Sequence, residues 1–376
     1  MKFIIFIGQH KVGSTALQAF LARNSVALLR AGILYPSVDF QGCAVNMSKL
    51  LEGCDSTEPL PLNAREPHNA LAFRMIADST GNSMPSWHKG MPATPQMLKA
   101  IRMQIQYMNP KVVILAAEVF SNLAAAAPLA IKKLANLCEG HEVRIVATLR
   151  RVDEYLASWH GQRLKFGHKL EPLRHNASHQ YINSIHFDYK LMLEKWFEAF
   201  PDADFVLRNY HDVMKSGGAC EDFVEHCGVP FPSNLHRITS RNPSFHRALY
   251  EVVRLGNREL HSDQAAQLKG FLLRIQDKLD LPQSKNIEMF GEANRKTMRE
   301  EFEPIHQYLC DINGVDSFFP DIDEILQTRE INELVATKDA LAQIQSKIAT
   351  SFKLARFGQR EEQCKNFLHS LDITAG

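Results

Sequence analysis

Long apolar runs are missing from this chain of 376 residues. Its apolar stretches, such as residues 3–7 and 112–117, are far shorter than the roughly 20 residues that cross a bilayer. A glycine turn follows the first run at once, so the pattern of a secretory signal peptide is also missing. The sequence therefore predicts a protein without transmembrane segments, and we expect it in the cytoplasm.

Paired cysteines and an excess of charge of one sign are missing as well. Seven scattered cysteines form no C-x-x-C pair and no Cys/His ligand set, which predicts reduced thiols and no metal centre. The net charge of +1 does not suggest a nucleic-acid partner. Basic residues such as Lys11, Arg150 and Arg151 instead lie in short segments, which suits a small anionic ligand.

Strand and helix patterns alternate along the first 260 residues. Apolar runs predict strands, which fall at residues 3–7, 111–117, 143–149 and 204–208. Helical patterns fall at residues 96–108, 128–138, 152–165, 188–200 and 218–227. This alternation predicts an α/β fold with a central parallel sheet and helices on both faces. Residues 37–95, rich in Gly, Pro, Ser and Asn, are interpreted as an irregular insertion that forms an acceptor pocket or a cap.

The pattern becomes mostly helical from about residue 244, with helices expected at residues 244–260, 263–279, 296–311 and 330–355. We interpret residues 261–376 as a helical extension that packs on an α/β domain of residues 1–260. The last helical stretch carries apolar residues at helical spacing, namely Ile331, Leu334, Val335, Leu341, Ile344 and Ile348. This spacing favours packing on the core over a homodimer contact or a partner surface.

The segment most indicative of function follows the first strand. Residues 8–15, GQHKVGST, place a glycine turn with Lys, Ser and Thr before a helix. The first N–H groups of a helix lack internal partners and its dipole is positive there, so such a turn favours an anion. A nucleotide kinase loop carries its lysine directly after the second glycine. Here Ser14 stands at that position and Lys11 precedes Gly13.

The run His10-Lys11-Val12-Gly13-Ser14-Thr15 resembles the H-K-x-G-[TS]-T loop of sulfotransferases that use 3′-phosphoadenosine-5′-phosphosulfate (PAPS). In that family the loop holds the 5′-phosphosulfate. The strand of residues 143–149 is followed by Arg150 and, eight positions later, by Ser158, a spacing that in the family grips the 3′-phosphate. Residues 150–158 are similar to a bacterial branch, although Val152 replaces the proline of the animal cytosolic enzymes.

The resemblance covers about residues 1–260 and implies a three-layer P-loop-like fold. It implies that the cofactor-binding residues are Lys11, Val12, Gly13, Ser14, Thr15, Arg150, Ser158, Tyr210 and Arg241. Tyr210 matches a tyrosine near the adenine, and Arg241 is the candidate for a second 3′-phosphate clamp. Ala16 stands where the family often has an aromatic residue that stacks on adenine.

Three residues are candidates for the chemistry. Lys11 would neutralise charge on the leaving phosphate oxygen. Glu118 follows an apolar strand, and the segment Ala-Ala-Glu-Val-Phe-Ser resembles the S-S-E-x-F-S strand end of the bacterial branch, which places a base there. His10, inside the loop, is a rival catalytic residue, and His88 is a weaker one.

The resemblance predicts a bacterial, cytoplasmic sulfotransferase that moves a sulfuryl group from PAPS to a hydroxyl of a small-molecule or glycan acceptor, a carbohydrate or glycolipid. The second product would be 3′-phosphoadenosine-5′-phosphate. Two alternatives stay open. One is a divergent P-loop kinase that uses an NTP, with Glu118 as a ligand of Mg²⁺. The other is a nucleotide-binding scaffold without turnover.

Overall fold

The computed structural model describes residues 1–52, 59–88, 90–175, 179–237, 244–351 and 359–373. Their contacts divide the chain into two compact units. The first unit comprises Met1–Arg151, Asp188–Arg241 and Ile305–Phe319. The second comprises Val152–Phe187, Asn242–Pro304 and Pro320–Gly376. The functional domain boundary that the sequence suggests at residue 260 stays a prediction.

A five-stranded parallel sheet forms the core of the first unit. Its strands are β1 (Lys2–Phe6), β2 (Ile33–Leu34), β3 (Val112–Ala116), β4 (Glu142–Leu149) and β5 (Asp204–Asn209). They lie in the order β2-β3-β1-β4-β5, and every pairing is parallel. All of β3 and residues 3–6 of β1 are buried, as expected for strands that are covered on both faces. The predicted α/β class with a central parallel sheet is confirmed.

Helices connect and follow the strands. In chain order they begin with α1 (Ser14–Arg23), α2 (Ser25–Arg30), α3 (Phe40–Glu52), α4 (Leu62–Arg65), α5 (Pro67–Thr80), α6 (Thr94–Met108), α7 (Phe120–Ala126) and α8 (Pro128–Leu137). The second unit contributes α9 (Val152–Lys165) and α10 (His179–Ile182). The chain returns to the first unit with α11 (Tyr189–Ala199), α12 (Tyr210–Lys215) and α13 (Ala219–His226).

The prediction of an irregular insertion over residues 37–95 is wrong, because α3, α4 and α5 occupy much of that segment. Helix α5 begins at Pro67 and ends before Gly81, which has a φ of 73°. A proline at the first helical position and a left-handed glycine after the last one are helix-boundary signals. The polar and small residues around them hide the apolar periodicity of the helix, whose Leu71 and Met75 are fully buried.

The rest of the second unit is mostly helical. It contains α14 (Tyr250–Glu259), α15 (Ser262–Ile275), α17 (Glu333–Ser351), α18 (Gln359–Ser370) and a two-stranded parallel pair, β6 (Ile287–Glu288) with β7 (Ile331–Asn332). Helix α16 (Glu292–Asn313) continues past Pro304, the last residue of that segment of the unit. Of the apolar residues that the sequence assigns to the α17 stripe, Leu334, Leu341, Ile344 and Ile348 are buried, whereas Val335 is 54% exposed. A homodimer through these helices stays a prediction.

The connections that follow β1 and β4 leave in opposite directions along the sheet. From β1 the chain proceeds to β2 and β3 on one side, and from β4 it proceeds to β5 on the other. Ligands of open α/β sheets bind outside the carboxyl ends of strands at such a point. The two strands stay paired beyond the end of β1, since the Ile7 amide donates to the Val146 carbonyl (2.9 Å) and the Gln9 amide to the Thr148 carbonyl (3.1 Å). The loop of residues 8–13 begins here.

Gly13 lies at the start of α1 with a φ of 89°, and a Cβ there would approach the Ala219 Cβ to 2.8 Å. We expect Gly13→Ala to lower the free energy of unfolding by about 2–4 kcal/mol, from left-handed strain and from overlap with α13. Gly140→Ala is the matched control, because Gly140 has a φ of 76° and no described atom within 4 Å of its Cβ position. Urea denaturation should give a loss of only about 1–2 kcal/mol for the control. Equal losses would show that contact with α13 contributes nothing.

Candidate functional site

The loop of residues 8–13 holds two residues in the left-handed region, Lys11 at φ 65° and Gly13 at φ 89°. Gly13 caps α1, and its carbonyl accepts the amides of Ala16 (3.0 Å) and Leu17 (3.1 Å). The conformation costs a lysine about 1–2 kcal/mol, a strain that is typical of functional loops. Val12 is fully buried and fixes the middle of the loop to the core.

Gln9 extends the pairing of β1 with β4 through its side chain. Its Oε1 accepts the Arg150 amide at 2.8 Å, although residue 150 lies beyond the end of β4. The side chain is only 1% exposed, and its Nε2 has no hydrogen-bond partner among the described residues. A buried N–H group without an acceptor costs about 1–3 kcal/mol. Gln9 therefore presents an unsatisfied donor at the point where β1 and β4 diverge.

Arg150 is held at both of its main-chain polar groups. Its amide donates to Gln9, and its carbonyl accepts the Tyr189 hydroxyl at 2.6 Å. The guanidinium lies 4.8 Å from the centre of the Tyr210 ring, and its Nη1 is 3.5 Å from the Lys11 carbonyl. The structure thus brings Lys11, Arg150 and Tyr210 together at the carboxyl ends of β1, β4 and β5. A guanidinium with a planar donor fork beside an aromatic ring is suited to bind a phosphate next to a base.

Glu118 follows β3 by two residues and is partly buried. Its carboxylate accepts the side-chain amides of Gln18 (2.5 Å) and Asn69 (3.2 Å), and the Ser14 hydroxyl as well. Burial raises the pKa of Glu118 above its usual value, and these hydrogen bonds limit the rise. A carboxylate with a raised pKa therefore lies against the first turns of α1.

The two candidate histidines, His10 and His88, have different surroundings. His10 Nε2 is 3.3 Å from the Asn122 amide oxygen, and because that oxygen only accepts, the contact requires the proton on Nε2. Burial and the charge of Lys11 lower the pKa of His10 to about 4. His88 is buried, lies 2.9 Å from Asn63 Oδ1 and packs against Phe73. Burial lowers the pKa of His88 too.

Ser14, Thr15 and Ser158 are the other predicted site residues that the structure describes. Ser14 is buried and Thr15 is partly buried in the first turn of α1. Ser158 is partly buried on α9, which belongs to the second unit, and its pairing with Arg150 stays a prediction. Arg241 lies outside the described residues. Across the described ranges no three His, Cys, Asp or Glu side chains are grouped as metal ligands, and no helix is long and apolar enough to cross a membrane.

Sequence reasoning missed several residues of the site, namely Gln9, Gln18, Asn69, Asn122 and Tyr189. Gln9 could have been found, because it lies between the two loop glycines and directly before the histidine. Gln18 follows Ser14 by one helical turn on the face that meets Glu118. Asn69 is on α5, in the segment that the sequence pattern predicts to be irregular, so its contact with Glu118 could not be predicted.

Comparison with known proteins gives little help. No known family matches the chain, and no solved structure matches it. A protein of Archaeoglobus fulgidus described as "Uncharacterized protein" is 28% identical over 233 residues, which is 58% of this chain and 61% of that protein. The chain therefore matches less than two thirds of the relative's length. That description gives no activity, so the function has to be argued from the site.

The raised pKa of Glu118 predicts how the free energy of unfolding depends on pH. A carboxyl whose pKa is raised in the folded state destabilises the fold as pH rises above the unfolded value of about 4.5. The Gln18 Oε1 atom has no partner among the described residues, so a flip of the Gln18 amide lets it accept from a glutamine at position 118, whose oxygen still accepts the Asn69 amide. We expect Glu118→Gln to be more stable than the parent at pH 8, with the advantage shrinking towards pH 4.

Urea denaturation at several pH values measures this difference, and Asp78→Asn is the control. Asp78 accepts the Thr94 amide and pairs with Arg74, and its pKa is lowered, so its removal should have the opposite pH dependence. A pH-independent difference for Glu118→Gln would contradict a raised pKa at Glu118.

Proposed function

We propose that this chain is a PAPS-dependent sulfotransferase with a P-loop-like fold, which sulfates a hydroxyl of a carbohydrate or glycolipid. The observation that carries the proposal is the position of the Arg150 guanidinium, between the Lys11 carbonyl and the Tyr210 ring, where β1 and β4 diverge. Three separate segments resemble that family in sequence, namely residues 10–15, 150–158 and 204–214. Lys11, Arg150 and Tyr210 come from these segments and lie together at this point.

The residues present fit a nucleotide with phosphates at both ends of its ribose. The N-terminus of α1 and Lys11 would hold the 5′-phosphosulfate, and the unsatisfied Gln9 Nε2 offers a further donor for an anionic oxygen. Arg150 would bind the 3′-phosphate, and Tyr210 lies where a base would pack. Ser158 and Arg241 remain predicted contacts. When bound, PAPS supplies the activated sulfuryl group.

Each side chain then has a distinct task. The Lys11 ammonium neutralises charge on the phosphate oxygen that leaves, together with the N-terminus of α1. Glu118 takes the proton of the acceptor hydroxyl. Burial makes Glu118 a stronger base than a free carboxylate and His10 a weaker base than a free imidazole, which favours Glu118. His10 instead connects the loop to Asn122 of α7.

The kinase alternative needs an acidic ligand for Mg²⁺ and a lysine after Gly13. Ser14 occupies the lysine position, and both oxygens of Glu118 accept side-chain amides. These contacts make Glu118 poorly suited to bind a metal ion. The scaffold alternative shares the nucleotide site with the enzyme and differs only in turnover.

Calorimetry with 3′-phosphoadenosine-5′-phosphate, AMP and Mg-ATP tests the cofactor. We expect the first to bind without metal and more tightly than the other two. Arg150→Ala should weaken its binding by about 1.5–3 kcal/mol, or 10- to 150-fold, and should leave AMP binding nearly unchanged. Arg144→Ala, on β4 itself and paired with Asp204, is the matched control and should change neither. Tighter binding of Mg-ATP would contradict the proposal. So would an Arg150→Ala substitution that weakens binding equally with and without the 3′-phosphate.

Lys11 allows turnover to be separated from binding. We expect Lys11→Ala to lower the sulfation rate about 100-fold or more, because a charge that stabilises the leaving group is lost, and to weaken product binding less than tenfold. Lys11→Gly controls for the backbone, since glycine adopts a φ of 65° without strain. Recovery of the rate in Lys11→Gly would assign the loss to loop geometry rather than to the ammonium.

A further inference from the structure

The side chain of Asn69 lies between two carboxylates. Its Nδ2 donates to Glu118 Oε1 at 3.2 Å and to Glu66 Oε2 at 3.2 Å. An amide nitrogen of this kind carries two hydrogens, so one is directed at each carboxylate. Asn69 is only 2% exposed, and its Oδ1 has no hydrogen-bond partner among the described residues. A flip of the amide would set that oxygen against two anions, so the pair of carboxylates fixes the orientation of Asn69.

Glu66 is itself held in place. Its Oε1 accepts Arg65 Nε at 3.0 Å and Arg65 Nη2 at 2.6 Å. The residue lies between α4 and α5, and its amide donates to the Leu62 carbonyl at 2.8 Å. A continuous series of hydrogen bonds therefore connects Arg65, Glu66 and Asn69 to the carboxylate of Glu118.

The other groups around the Glu118 carboxylate are neutral. Ser14 and Gln18 of α1 donate to it. Directly after β2, Tyr35 is buried, and burial together with the two carboxylates raises the pKa of Tyr35 well above its usual range. The ring of His68 packs on Tyr35, and burial lowers the pKa of His68 to about 3. None of these four side chains is charged at neutral pH, so none sets a charge against Glu118.

We propose that Asn69 is a positioning residue, which holds the Glu118 carboxylate in the orientation from which it takes the proton of the acceptor. This proposal deepens the proposed function and rests on it for the role of Glu118 as the base. A base acts only within hydrogen-bond reach of the proton that it takes, so the side chains that fix its orientation affect the rate. Glu66 acts one step further away, because it fixes the amide of Asn69.

Asn69 and Glu66 affect the basicity of Glu118 with opposite signs. The N–H of Asn69 favours the charged form of Glu118 and lowers its pKa. The negative charge of Glu66 disfavours that charged form and raises the pKa. Removal of the Asn69 bond and removal of the Glu66 charge should therefore move the titration of Glu118 in opposite directions.

Titration of the Glu118 carboxyl carbon tests this arrangement without requiring activity. It is followed by NMR in protein labelled with carbon-13 glutamate, and the Glu118 signal is identified by its loss in Glu118→Gln. We expect Asn69→Leu, which is nearly isosteric, to move the midpoint up by about one pH unit, a tenfold change in acid strength. Glu66→Gln still accepts from Asn69 but lacks the charge, so it should move the midpoint down.

Asn24→Leu is the matched control. Asn24 is also 2% exposed, and its Nδ2 also donates to two oxygens, the main-chain carbonyls of Phe20 (2.9 Å) and His236 (3.0 Å). This variant should leave the midpoint unchanged, and circular dichroism verifies that every variant is folded. Release of 3′-phosphoadenosine-5′-phosphate from PAPS, with octyl glucoside as the probe acceptor, should fall about tenfold or more in Asn69→Leu. The acidic limb of its pH profile should move to higher pH.

An unchanged midpoint in Asn69→Leu, or an equal change in Asn24→Leu, would overturn the positioning by Asn69. So would an unchanged midpoint in Glu66→Gln, which keeps the test decisive if Asn69→Leu does not fold. The expected midpoints in a protein that does not bind 3′-phosphoadenosine-5′-phosphate would contradict the proposed function and support the positioning of Glu118 by Asn69.

Discussion

The candidate site depends on β1 and β4 staying side by side after the sheet ladder ends. Beyond Phe6 the main chain supplies two more hydrogen bonds, and the Gln9 side chain supplies a third to the Arg150 amide. This last bond helps to hold together the first residues of two connections that leave in opposite directions, and the Arg150 Nη1, 3.5 Å from the Lys11 carbonyl, adds a further contact. The buried Gln9 amide thus contributes to the separation between the loop of residues 8–13 and Arg150, which follows β4.

Residues that follow β3 also hold the loop of residues 8–13 in place. Ser14 and Gln18 of α1 hold the Glu118 carboxylate, and His10 contacts Asn122 four residues further on. These contacts join the end of β3 to both the loop and the first turns of α1. Such support from two sides lets a lysine remain in a left-handed conformation that the isolated chain would avoid. Rigid placement of this kind is what a site for a small anion requires.

Much of this arrangement could be predicted from the sequence because it depends on local patterns. The strands are short apolar runs, the loop has glycines at fixed spacing, and parallel pairing brings Lys11, Glu118, Arg150 and Tyr210 to one edge of the sheet. The partners of these residues could not be predicted, since Asn69 comes from a helix whose sequence is not clearly periodic.

The central position of β1 has a consequence for biosynthesis. Lys2 pairs with Val112 on one side and with Glu142 on the other, so both neighbours of β1 are made more than a hundred residues later. At 5–20 residues per second, the run FIIF waits roughly 7–30 s on the ribosome before its second partner emerges. Its amides and apolar side chains stay open to other chains during that time. Protection of β1 until β4 has been synthesised would therefore limit its pairing with other chains.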